Sequence, residues 1–230
     1  MKDSYLQEFE ACVESVKDDK FVVLDKTSFY PNAGGQPYDI GVLTKGKEEF
    51  PVIYVAKFGD VISHEISKPG LKMGDKVTGK INWQRRYLFM RYHTAAHILS
   101  TVIHNETGAA ITGNQIADDK TRIDFDLEQF DREKLKSYEE KTNAIIIQNL
   151  PVTVQFLSRE EALKIPSVVK LSKGLSESIQ IIRIISIGGF DQQACGGCHV
   201  RNTSEIKGIK IIKTDNKGKN NRRVYYTLRD

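Results

Sequence analysis

Cysteine is scarce: Cys12, Cys195 and Cys198 are the only three in 230 residues. They are too few and too unevenly spaced for a disulfide framework, which suits a reducing compartment. Long apolar runs are missing as well. Nothing approaches the roughly 18–20 consecutive apolar residues of a membrane-spanning helix, and the opening MKDSYLQEFEACVES lacks the basic-then-apolar order of a signal peptide. The expectation is a soluble, cytoplasmic protein without membrane contacts. No P-loop or other ATP-binding signature occurs, so no nucleotide cofactor is expected. A strong net charge is absent too, at +4, but residues 201–230 hold nine Lys/Arg against three Asp/Glu. The basic character belongs to the C-terminus.

What is present changes period along the chain. Up to about residue 83 there are short β-rich stretches, FVVLD, PVIYVAKFG and KVTGKINW, around the loop SFYPNAGGQPYDIG. Partial alternation with frequent Gly, Pro and Asp breaks predicts a small barrel or meander. From Gln84 to about Glu106 there is neither Gly nor Pro, and Leu88, Tyr92, Ala95, Leu99 and Val102 recur at helical spacing before Gly108. That helix opens a second domain. QIADDKTRIDFDL reads as a hairpin, FDREKLKSYEEKTNAIIIQNL as a helix, PVTVQFLS as a strand and SREEALKI as a short capped helix. Ile179–Ile187 reads as a buried central strand, leading to the Gly-rich loop GGFDQQACGGCHV. IKGIKIIKT and RRVYYTL form a last pair across DNKGKNN. The fold class expected is α+β, with residues 1–83 a small N-terminal β-barrel domain and 84–230 an α+β domain.

His93 and His97 stand four apart on the helix, so both imidazoles leave one face, as two ligands of a single tetrahedral zinc do. Alone the spacing is weak, because two half-buried helix histidines produce it too. Thr94 stands where HExxH peptidases carry Glu, which disfavours peptidase chemistry. Cys195 and His199 follow the most buried strand, where Gly196 and Gly197 allow a tight backbone. One thiolate and three imidazoles make a plausible N₃S set for one Zn²⁺ per chain, and the two pairs strengthen each other. CGGCH also spells a c-type haem attachment and a CxxC dithiol. Neither an export signal nor a helix start inside a βαβ unit accompanies it, so both are poor fits. Cys198 reads equally as a packed residue, a spare thiol or a competing ligand. His64 and His104 read as surface residues, and Cys12 as a small buried hydrophobe.

HTAAH, TRIDFD, GGFDQQACGGCHV and NTSEIKGIKII together resemble the editing domain of alanyl-tRNA synthetases and the free-standing alanyl-tRNA editing proteins of the AlaX type. The resemblance runs from about Phe29 to Tyr226 and is to the medium-length class, with a β-barrel ahead of a zinc-binding editing core. It implies zinc on His93, His97, Cys195 and His199. Cys198 stands where the family's CGGTH carries Thr. The editing domain of threonyl-tRNA synthetase shares the same His/Cys pattern, whereas FYPNAGGQPYDIG resembles the alanyl branch's glycine-rich motif.

The implied activity is hydrolysis, without ATP, of mischarged tRNA(Ala), with seryl-tRNA(Ala) the main substrate and glycyl-tRNA(Ala) a second. Two alternatives stay open: threonyl-type editing of seryl-tRNA(Thr), and a non-catalytic zinc-stabilised module that binds aminoacyl-tRNA. Gly34 and Gly35 read either as a hairpin closure or, with the resemblance, as a backbone that meets the substrate beside the amide of Gln36. Asp191 is the candidate partner behind a ligand. No residue beyond the zinc site is assigned to catalysis, and four protein ligands would close the shell unless one loosens. Lys207, Lys210, Lys213, Lys217, Lys219, Arg222 and Arg223 are either a solvated face or a tRNA acceptor-end contact, the last four being the candidates. Of Tyr225 and Tyr226, adjacent in a strand, one is expected to face the core.

Overall fold

The computed structural model describes residues 3–129, 131–166, 168 and 179–229. Phe130, included in the helical reading above, lies outside them. The fold is α+β with an N-terminal barrel. Residues 3–89 with 116–118 form one compact unit, and residues 90–115 with 119 onward form the other.

In the first unit six antiparallel strands close a barrel: β1 (Glu8–Lys17), β2 (Phe21–Leu24), β3 (Gly41–Lys45), β4 (Glu48–Phe58), β5 (Val61–Ile66) and β6 (Lys76–Ile81). Their order around it is β1-β2-β5-β4-β3-β6. Closure leaves no open edge, and the inward residues of each strand, among them Val13, Val22, Leu43, Phe50, Val55 and Val77, fill the middle. Strand alternation also turns His64 inward, against the surface position expected from sequence. It is fully buried. His64 Nδ1 donates to Val22 O at 3.0 Å, leaving Nε2 to accept from Thr27 Oγ1 at 2.9 Å, while that hydroxyl accepts from Phe29 N. Burial lowers its pKa to about 4, with the carbonyl of Val22 opposing. Cys12, expected to be buried, is only half-buried, because its position on β1 lies off the inward face.

Helix α1 (Trp83–Thr107) ends at Gly108, whose φ of +72° suits the left-handed stop after a helix. In the second unit β7 (Ile111–Ile116), β8 (Thr121–Phe125), β12 (Ile209–Asn216) and β13 (Arg222–Leu228) form a sheet ordered β12-β13-β8-β7. Helix α2 (Arg132–Ile146) starts at Asp131, whose side chain accepts from Glu133 N. It then protects the outer edge of β12: Asn143 donates to Ile209 O at 3.0 Å and accepts from Ile209 N at 2.8 Å, and Glu139 accepts from Ile211 N. Side chains thus take the place of a further strand.

A second sheet, ordered β11-β10-β9, comprises β9 (Val152–Ser158), β10 (Ile181–Ile187) and β11 (Asp191–Ala194). Helix α3 (Arg159–Ala162) begins in a Ser158/Glu161 capping box. β10 is central as expected, with Ile182, Ile184, Ile185 and Ile187 buried, although Ile181 is 60% exposed. Part of the expected Gly-rich loop is itself a strand. Asp191–Ala194 pairs back on β10 from Ile187↔Asp191 to Ile184↔Ala194, with the Gly188–Gly189 pair in the turn. No helix among the described residues is long and apolar enough to cross a membrane.

Candidate metal centre

β11 delivers Cys195 to a fixed point. Arg183 on β10 donates from Nη1 to Cys195 O at 2.6 Å and to Gly197 O at 2.9 Å, tying both carbonyls to the sheet. Neither Gly196 nor Gly197 takes a positive φ, so the tightness expected from glycine freedom comes from this guanidinium. Gly197 N also approaches Cys195 Sγ at 3.4 Å.

Across from the loop, α1 presents His93 and His97. One donor atom from each of His93, His97, Cys195 and His199 falls within 4.8 Å of the others. Cys195 Sγ lies 3.5 Å from His93 Nε2 and 3.4 Å from His199 Nε2. A tetrahedral zinc with Zn–S of ~2.3 Å and Zn–N of ~2.05 Å requires S···N edges of about 3.5 Å. The donor set fits zinc, and the two S···N edges already have tetrahedral length, while the group as a whole spans up to 4.8 Å and would draw in around an ion. Cys198 is fully buried and stands outside the four-donor group.

Two imidazoles are oriented from behind. Asp191 Oδ2 sits 3.1 Å from His97 Nδ1, which leaves Nε2 as the coordinating atom. The other oxygen of Asp191 accepts from Thr101 Oγ1 and from Gln193 Nε2, each at 2.9 Å. Thr94 holds His199 in the same way. Its hydroxyl donates to Met90 O at 2.9 Å and accepts from Val200 N at 3.2 Å, so the contact at 3.1 Å to His199 Nδ1 needs a proton on that nitrogen.

Neighbouring groups in the cluster shift the ionisation of Cys195, His97, His199 and Asp191. Burial opposes ionisation of Cys195, but His93 and His199 beside it hold its pKa well below the usual thiol value. Burial also works against charge on His97, yet hydrogen bonds to Asp191 and Cys195 push it up to about 10. Burial, then the neighbouring His93, lowers His199 to about 3. His97 therefore favours its protonated form between Cys195 and Asp191, where a bound metal ion would replace that proton.

The glycine-rich loop belongs to the first unit. Gly34 and Gly35 have φ of +58° and +78°, and Ala33 and Gln36 bond each other both ways at 3.2 and 2.9 Å. This is a two-residue hairpin turn that needs left-handed backbone at both central positions. Gln36 itself is fully buried.

Comparison with known proteins places this geometry in a lineage. Residues 182–225 match the model for the threonyl and alanyl tRNA synthetase second additional domain, and residues 4–85 match the class II (A) tRNA synthetase model. An alanyl-tRNA editing protein AlaX-M of Methanosarcina acetivorans is 53% identical over 99% of this chain and 97% of its own length. Its counterpart in Saccharolobus solfataricus is 42% identical over 100% of this chain and 97% of its own. The chain belongs to the AlaX-M family of alanyl-tRNA editing proteins. The alanine–tRNA ligase of Thermococcus kodakarensis is 38% identical over 93% of this chain, which spans 24% of that ligase. This chain thus corresponds to one segment of the longer protein.

Within this AlaX-M family member several positioning residues were not singled out by motif reading: Thr94, Thr101, Arg183 and Gln193. Thr94 was legible only as a missing Glu, and Thr101 only as one further turn beyond His97. His104, expected at the surface, is half-buried. Its Nδ1 contacts Ala109 O at 2.9 Å, and it lines a cavity of about 930 Å³ with Thr101, Ile111, Phe190, Asp191 and Gln193.

The basic hairpin is partly occupied with itself. Arg223 forms a two-pronged ion pair with Asp124 at 2.6 and 2.8 Å. Arg222 braces the turn through Asn216 Oδ1 and Gly218 O, and Lys217 lies 3.7 Å from Asp215. Lys219 is exposed. Tyr226 faces the core and donates to Tyr92 O at 2.6 Å, whereas half-buried Tyr225 carries Lys213 Nζ 4.4 Å from its ring centroid.

Proposed function

We propose that this chain is a trans-editing hydrolase that removes serine, and secondarily glycine, from mischarged tRNA(Ala), using zinc on His93, His97, Cys195 and His199. The observation that carries the reading is the four-donor His/Cys cluster, two of whose edges have tetrahedral length, in a chain that matches AlaX-M proteins end to end. In this reading residues 1–83 form the barrel domain that carries the specificity loop, and 84–230 the editing domain. When bound, zinc supplies Lewis acidity toward an ester carbonyl or a water.

The chain's own residues do the rest. Asp191 and Thr94 hold the His97 and His199 rings so that Nε2 of each faces the cluster. Cys195 would hold the metal as a thiolate, the form that the neighbouring His93 and His199 favour against burial. Gln36, an amide that does not titrate, is the assigned specificity residue of the loop and takes no part in proton transfer. Lys217, Lys219, Arg222 and Arg223 are the assigned contacts to the acceptor-end phosphates. The exposure of Lys219 supports its assignment, whereas Arg223 is paired with Asp124 and Lys217 approaches Asp215.

The test is release of labelled serine, glycine and alanine from tRNA(Ala), without ATP and with or without chelator. Serine should be released fastest, alanine spared, and chelator should abolish the reaction. One family model that matches here is shared by threonyl and alanyl synthetases, so seryl-tRNA(Thr) belongs in the same panel. Cleavage of that substrate alone would make the protein a threonyl-type editor. No cleavage at full zinc occupancy would leave a zinc-stabilised tRNA-binding module.

A further inference from the structure

Arg86, in the first turns of α1, is completely buried in the first unit, and so is its partner Asp39. Its Nε donates to both carboxylate oxygens of Asp39 at 3.0 and 3.1 Å, and Nη2 joins the same ion pair. Nη2 also donates to Ser28 O at 2.6 Å, and Nη1 to Ser4 O at 2.9 Å. One guanidinium therefore grips both ends of the segment between Ser28 and Asp39, which contains Gly34, Gly35 and Gln36.

The neck of that segment is cross-linked at the same place. Asp39 Oδ2 accepts from Tyr30 N at 2.6 Å, and Asp39 N donates to Tyr30 O at 2.9 Å. Further out, Asn32 N donates to Val55 O at 3.0 Å and Ile116 N to Gly35 O at 2.8 Å. A buried ion pair is a poor source of stability, because an apolar pair of similar volume often does as well. What it supplies is a single arrangement. The rigid fork of Arg satisfies three acceptors from three chain segments at set angles, which a lysine's point charge cannot do.

We propose that Arg86, acting through Asp39, is the positioning residue of this loop and thereby sets the choice between seryl and alanyl esters without touching substrate. The inference rests on the role given to Gln36 above. Selectivity built on one hydroxyl demands a donor and acceptor held to a fraction of an ångström, and a buried amide on a two-residue turn has that accuracy only if the neck of the turn is fixed.

The experiment uses the full zinc-loaded protein with Arg86→Lys, Asp39→Asn and, as reference, Gln36→Ala, each assayed well below its melting temperature. Amide hydrogen exchange is read at Tyr30, Asn32 and Gln36, and the ratio of kcat/KM for seryl- over alanyl-tRNA(Ala) is measured. Arg86→Lys retains the charge beside Asp39, so it keeps the test available if Asp39→Asn fails to fold. Expected are faster exchange at those amides, unchanged zinc content, and a selectivity ratio lowered by roughly 10- to 100-fold. Unchanged exchange in folded Arg86→Lys overturns the proposal. So does faster exchange with an unchanged ratio where Gln36→Ala lowers it. If Gln36→Ala leaves the ratio intact while the clamp variants speed exchange, it is the reading of Gln36 that has failed, and the selectivity role of Arg86 falls with it.

Discussion

Thr94 Oγ1 stands 3.1 Å from His199 Nδ1, joining residues 105 positions apart in the chain. The hydroxyl sits one residue after His93, so the helix that supplies two donors of the cluster also orients a third. Because the same oxygen donates to Met90 O and accepts from Val200 N, its hydrogen-bonding capacity is used on three sides. Thr94→Val keeps the shape and removes all three bonds. Zinc affinity, measured by chelator competition, should fall about 10- to 100-fold, as for other partners behind a ligand. An affinity equal to wild type would show that His199 needs no such orientation.

Protein purified without added metal should contain about one zinc per chain, in keeping with a single tetrahedral site. His93→Ala and Cys195→Ala should lose it on elemental analysis. Cys198→Thr should keep both metal and activity, since Cys198 lies outside the donor group. Full metal content in both alanine variants would dismiss the assignment.

Zinc uptake should release protons near neutral pH. His97, raised to about 10 by Asp191 and Cys195 despite burial, is protonated in the metal-free protein and must give up that proton to coordinate. Indicator-dye titration should detect the release, and apparent affinity should fall with falling pH. The raised pKa also stabilises the metal-free fold. That contribution is complete below the unfolded value of about 6.5 and is lost as pH rises through about 10.

The barrel histidine acts with the opposite sign. With its folded pKa lowered to about 4, His64 stays neutral while the unfolded chain binds a proton below about 6.5. Stability should therefore drop as pH falls through the window from about 6.5 to about 4, by an amount of about 3 kcal/mol at most. Denaturant melts of wild type and His64→Gln across that range give the check. Equal slopes in the two proteins would remove His64 as the cause.

In the C-terminal hairpin the lysines and Arg223 should separate experimentally. Neutralising Lys217 and Lys219 should weaken tRNA binding and flatten the dependence of log K on log salt, because fewer counterions are released. Arg223→Ala should instead lower the melting temperature with little change in slope, since its partner is Asp124. A slope that responds to Arg223 alone would mean that the ion pair opens to phosphate.

The sequence by itself determined the features that depend on neighbours within a few residues. Helix α1 and its stop at Gly108, the capped start of α3, the hairpin of β12 and β13, and the inward turn of one of Tyr225 and Tyr226 follow from periodicities of 3.6 and 2, with turn residues between them. So does the chemistry of the donors, because imidazoles at i and i+4 share a face wherever the helix lies. Tertiary structure decided what depends on distant partners. Whether Cys195 meets His93 is a matter of how β10 and β11 pair and of how Arg183 holds the loop, and no local pattern encodes a contact spanning 102 residues. His64 looked like a surface residue because a short strand with one His carries little alternation; closing the barrel buried it. Asp124 and Arg223 are likewise set side by side by the register of β8 against β13, which converts a cation of the basic tail into half of an ion pair. Local periodicity is a property of the backbone and can be read in order. Burial and pairing are properties of the assembled core and exist only once the strands have chosen their neighbours.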